Sequence, residues 1–103
     1  MPTQGPITEA AYYILLALTK PGHGYGMMQR IKELSGGRIA MGPGTLYGVL
    51  TRMNKDGWIE LTETDGRRKN YAITDKGRQA LQNEYDRLKM LVNDGKILEE
   101  GEV

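Results

Sequence analysis

The apolar residues of this chain change their spacing twice, and that change limits the folds open to it. From Ala10 to Met53 they recur at helical intervals, from Trp58 to Ile73 they alternate, and from Leu81 to Val92 the helical interval returns. A period of 3.6 places residues on one helix face and a period of 2 places them on one face of a strand. Three helices, a two-stranded hairpin and a fourth helix are predicted. The fold class expected is mainly α with a small β-hairpin (α+β).

Local signals bound each element. Thr8 suits a helix cap and Glu9 the positive first turn behind it. Ala10–Leu18 is apolar on every side, which predicts burial on more than one face. Pro21-Gly22-His23-Gly24 ends that helix. A second helix runs from about Tyr25 to Leu34, with Met27, Ile31 and Leu34 inward, and Gly36-Gly37 stop it. A third starts at Pro43, whose fixed φ suits a first helical position, and turns Leu46, Leu50 and Met53 inward until Asp56-Gly57. Ile59 and Leu61 share one strand face, Asp65-Gly66 marks a tight hairpin, and Tyr71 and Ile73 alternate on the return strand. Thr74 caps the last helix. Its residues Leu81, Tyr85, Leu88 and Val92 form a short heptad seam, with Gln82, Asn83, Glu84, Asp86 and Arg87 outside it. Asn93-Asp94-Gly95 ends it. This order is that of a winged helix-turn-helix with a dimerisation helix attached. The organisation expected is a flexible leader (1–6), a winged unit (7–74), a C-terminal dimerisation helix (75–93) and an acidic flexible tail (94–103).

Composition removes several alternatives. A chain of 103 residues makes one small domain, and so small a core gains from a second subunit. With no Cys and a single His, neither a disulfide framework nor a zinc cluster can be assembled from it. The longest apolar run, Ala10–Leu18, is well short of the ~20 residues a membrane span needs, so no membrane partner and a cytoplasmic location are expected. Ser35 is the only serine, which leaves little for nucleophilic catalysis. The glycine runs at 22–26 and 42–44 match neither a dinucleotide fingerprint nor a P-loop. No catalytic residue, metal or cofactor is expected, and the chain is read as not an enzyme.

Two cationic features agree with each other. Opposite the inward residues of the third helix stand Gly44, Gly48, Thr51, Arg52 and Lys55, with Thr45 and Tyr47 on the flanks. A mid-helix glycine costs stability, and close approach to another surface is a reason to keep Gly48. Arg52 and Lys55 suit phosphates or guanine; Thr45, Tyr47 and Thr51 suit phosphates or base edges. A solvated helix face also looks like this. Arg67-Arg68-Lys69 at the hairpin tip shifts the balance, because adjacent cations on a projecting loop repel one another and phosphate relieves them. Edge strands also carry Lys and Arg against aggregation, but a helix and a wing charged together fit a known docking geometry. The net charge of +1 divides into −3 over residues 94–103 and +4 over residues 1–93.

The runs His23-Gly24-Tyr25-Gly26, Gly44-Thr45-Leu46-Tyr47 with Leu50, Arg52 and Met53, Asp56-Gly57-Trp58-Ile59, and Arg67-Arg68-Lys69 with Tyr71, Ile73, Thr74 and Gly77 resemble the PadR family of bacterial transcriptional regulators, in its compact branch with a single C-terminal dimerisation helix. The resemblance spans roughly residues 7–92. It implies a homodimeric repressor whose third helix enters the major groove, whose wing touches the flanking backbone or minor groove, and whose first and last helices form the dimer. Dimer contacts are expected at Tyr12, Leu15, Leu81, Tyr85, Leu88 and Val92, and DNA contacts at Thr45, Tyr47, Gly48, Thr51, Arg52, Lys55, Arg67, Arg68 and Lys69. The partners expected are double-stranded DNA, as an inverted-repeat operator, and a second copy of the chain. Some members of the branch bind planar, aromatic or cationic compounds between subunits, so a small effector that releases the repressor is carried as an option. The alternative is a winged-helix protein-interaction module without DNA binding.

Overall fold

A computed structural model describes residues 5–66 and 68–101, the side chains of residues 63–65 and 68 excepted. The elements are α1 (Glu9–Ala17), β1 (Gly22–His23), α2 (Gly24–Leu34), α3 (Pro43–Lys55), β2 (Ile59–Asp65), β3 (Arg68–Ile73) and α4 (Asp75–Asp94), with a closing 3₁₀ turn at Gly95–Leu98.

Chain chemistry sets the boundaries. The Thr8 hydroxyl accepts from the Ala11 N–H at 3.2 Å and caps α1. Gly36 and Gly37 take φ of 62° and 85° after α2, a left-handed turn that side chains resist. Pro43 opens α3, and Gly57, at φ 81°, reverses the chain into β2. Thr74 caps α4 by accepting from the Gly77 N–H at 3.0 Å.

The core joins all four helices to the sheet, α4 through Leu81. Ile14, Leu15 and Leu18 of α1 and its C-cap meet Met27 and Ile31 of α2, Leu46, Leu50 and Met53 of α3, and Ile59, Tyr71 and Ile73 of the sheet. α1 is sandwiched as its all-round apolarity requires, while its Tyr12, Tyr13 and Leu16 stay half-buried.

Several expectations change. Gly22-His23, read as a turn, pairs with β3 and makes a three-stranded antiparallel sheet of order β1-β3-β2. Two residues carry too little pattern to announce a strand, yet β3 has an open edge for them to satisfy. Ile59 is sealed opposite Ile73, whereas Leu61 is exposed where β2 runs out beyond the helices towards a bulge between Leu61 and Glu63. Leu34 ends α2 facing solvent. Gly95 keeps a right-handed φ of −79°, so α4 passes into the 3₁₀ turn and residues 94–98 of the acidic tail are helical. Glu84, expected outside the seam, is only 3% exposed.

Candidate nucleic-acid interface

α3 presents one open face. Thr45, Tyr47, Gly48, Thr51, Arg52 and Lys55 are all exposed on it. Arg52 and Lys55 have no ion-pair partner among the described residues, so their charge is free for an outside anion. A Cβ on Gly44 or Gly48 would meet nothing within 4 Å, so the chain's own packing does not demand either glycine. The Thr51 hydroxyl donates to the Tyr47 carbonyl at 2.8 Å and keeps its lone pairs for a donor. Lys69 is exposed on β3. Arg67 lies outside the described residues, as does the Arg68 side chain.

Tyr47 is fixed rather than free. Its phenol leans on Gly24 in the first turn of α2, where any Cβ would collide with the ring and its hydroxyl. Gly24 therefore lets α3 approach α2 and sets where Tyr47 points. Beside it, Tyr47 and Thr51 of α3, His23 of β1, Tyr25 of α2, and Lys69 and Tyr71 of β3 line a notch between α3 and the sheet. The sequence pattern did not bring His23, Tyr25 or Tyr71 to this face. The shared parity of Lys69 and Tyr71 on one strand was the available signal.

The far end of α3 is bolted to α4. The Thr74 hydroxyl donates to the Gly57 carbonyl at 2.6 Å, and the Lys76 ammonium donates to the Asp56 carbonyl at 2.9 Å. Gly77 passes so close to Trp58 that a Cβ would overlap the Trp58 carbonyl oxygen. The direction of α4 and the pose of α3 are thus set at one junction.

Along α4, Tyr12, Tyr85, Leu88 and Val92 line a single open groove, with Asp86, Lys89 and Asp94 among its polar members. Lys89 sits 5.4 Å above the Tyr85 ring. The other two expected dimer residues are elsewhere: Leu15 is 0% and Leu81 9% exposed, both inside the chain's own core. The groove runs from Tyr12 of α1 along α4, so the seam serves the domain core at Leu81 and is exposed at Tyr85 and Val92. Glu84, next to Leu81, accepts two hydrogen bonds from the Arg87 guanidinium at 2.8 and 2.7 Å and one from the Ile7 N–H at 3.4 Å. The Arg87 hydrogen bonds hold its carboxyl below the ordinary carboxylate range against the opposing effect of burial. Burial pushes the Tyr12 phenol up, with Tyr85, Glu84 and Tyr13 adding to it.

Three packed helices followed by an antiparallel hairpin define a winged-helix fold. Residues 14–83 match the PadR-like family of transcriptional regulators, and the chain belongs to that family. It is 36% identical over 77 residues to a 37.1 kDa protein in transposon TN4556 of Streptomyces fradiae, an overlap of 74% of this chain and 22% of that one. Among solved structures, a PadR-like transcription factor from Bacteroides fragilis superposes with a TM-score of 0.73 at 29% identity, covering 85% of this chain and 87% of that one. PadR of Bacillus subtilis in complex with operator DNA gives a TM-score of 0.62 at 28% identity, covering 71% and 44%. The chain spans about a fifth to a third of the length of the curated relatives it matches. No helix among the described residues is long and apolar enough to cross a membrane, and no group of metal-binding side chains is present among them.

Proposed function

We propose that this chain is a sequence-specific DNA-binding repressor that acts as a homodimer. The observation that carries the proposal is the open face of α3, where two cations without internal partners flank hydroxyls and a glycine with space above it. The winged unit of residues 7–74 reads DNA, and residues 75–93 join two copies through the bare part of the α4 seam. Two-fold symmetry then calls for an inverted-repeat operator with half-sites about one helical turn apart, ~34–36 Å. Thr45, Tyr47 and Thr51 reach base edges. Arg52, Lys55, Lys69 and the wing arginines Arg67 and Arg68 neutralise phosphates. The groove of Tyr12 and Tyr85, with Asp86 and Asp94 at its edge, suits a planar aromatic or cationic effector, and the protein works in the cytoplasm.

Selection from a random DNA pool with purified protein tests this directly. An inverted repeat is the expected outcome. Affinity for it falls with salt, and replacing Arg52, Lys55 or Lys69 by Ala lowers the log–log slope by about 0.9 for each phosphate left without its cation. A protein that enriches no sequence and shows no salt slope is instead the interaction module with the same fold.

A further inference from the structure

We propose that the notch between α3, β1 and β3 is a seat for one phosphodiester of the DNA backbone, with the hydroxyl of the largely buried Tyr71 as its unpartnered donor. This rests on the DNA-binding reading above and adds residues outside the expected contact set. Tyr71 is 8% exposed, and its hydroxyl has no hydrogen-bond partner among the described residues. The ring lines the notch, and its hydroxyl, being without a partner, keeps contact with solvent rather than being sealed in, so a group entering the notch can serve it. Burial keeps its proton in place, so it stays a donor. A phenol hydroxyl that a partner covers loses its hydrogen bond to water, unless what covers it brings an acceptor.

The surrounding groups specify an anion. Lys69 lies two residues from Tyr71 on β3, on the same face, and its charge is unpaired among the described residues. His23, paired with Asn70 across the β1–β3 ladder, is a lining residue of the notch but turns its imidazole towards Gly26. Gly22, opposite Tyr71, has no side chain to cover it. The Tyr25 hydroxyl accepts from the Gln29 amide at 3.3 Å, which leaves its own proton to give. No carboxylate is present among the lining residues. Tyr47 and Thr51 tie the notch to the flank of the reading face, so a strand lying along α3 carries its backbone over Tyr71 on the way to Lys69. A backbone oxygen, singly charged and held at that distance from the base edges, fits both the donors and the position.

The test uses the full chain and its selected DNA, with a methylphosphonate replacing one backbone phosphate at a time. One position per half-site is expected where neutralisation weakens wild-type binding about tenfold, the worth of a hydrogen bond to a charged acceptor. Tyr71→Phe is expected to bind unmodified DNA about tenfold more weakly, to melt at the wild-type temperature, and to be indifferent to the methylphosphonate at that position. Tyr25→Phe, on an exposed residue that the fold does not depend on, is expected to show a smaller loss at the same phosphate. Wild-type affinity in Tyr71→Phe, or continued sensitivity of both variants to every methylphosphonate, overturns the seat and leaves DNA binding standing. A wild-type protein that selects no DNA overturns both.

Discussion

The Thr74 hydroxyl donates to the Gly57 carbonyl at 2.6 Å while accepting from the Gly77 N–H at 3.0 Å, so one side chain both ends α3 and starts α4. The residue that caps the last helix thereby fixes it to the turn behind α3. Thr74→Val removes both bonds with little change of shape and is expected to cost about 1–2 kcal/mol. Thr74→Ser is expected to recover most of it. Urea unfolding measures both, and equal stability of the three proteins would show that the junction is held by packing alone.

Two glycines that look alike in the sequence are expected to respond oppositely to alanine. Gly77→Ala drives a methyl into the Trp58 carbonyl, which no rotamer relieves, and is expected to destabilise by about 2 kcal/mol or more. Gly48→Ala places its methyl in open space on a helix interior and is expected to stabilise by about 0.5–1 kcal/mol. If α3 lies against DNA there, the same Gly48→Ala protein binds its operator more weakly. A variant that gains stability and keeps its full affinity would remove Gly48 from the interface.

Glu84 predicts a pH dependence. Its folded carboxyl is held below the ordinary value of 4.5, so the stability it supplies is present above that value and is lost as pH falls towards its lowered folded value. Glu84→Gln is expected to lose about 1–3 kcal/mol at pH 7, as the charged acceptor of Arg87 and Ile7 disappears. The gap between the two proteins is expected to narrow on acidification to pH 3. A gap that is constant with pH would mean that the shape of the side chain, rather than its charge, matters.

The placement of the seam decides which changes make monomers. Leu81 lies in the chain's own core, so charging it is expected to unfold the domain rather than separate subunits. Val92 is 68% exposed and shares the groove with Leu88. Leu88→Glu with Val92→Glu is expected to give a folded monomer by sedimentation, with far-ultraviolet circular dichroism retained and operator affinity abolished. A dimer that survives the pair would place the subunit interface away from α4.

Much of the architecture follows from local chemistry. Thr8, Pro43, Gly57 and Thr74 announce helix ends because caps, fixed φ and left-handed turns act within four residues. The 3.6-to-2 change in spacing announces the wing because burial follows the backbone repeat. The cationic residues of α3 are legible for the same reason, since a helix wheel needs only sequence. Tertiary structure decided what depends on neighbours remote in the chain. Gly22-His23 became a strand because β3 had an edge to fill. Glu84 turned inward because Arg87 and the Ile7 N–H satisfy it there. The heptad positions Leu81 and Val92 belong to one seam but have opposite environments, because Leu81 packs into the core shared with the other helices and the sheet while Val92 is left exposed. Tyr71, Lys69, Tyr47 and His23 lie on three elements and meet only when the sheet packs beside α3, and a pattern that reads one element at a time does not contain that meeting.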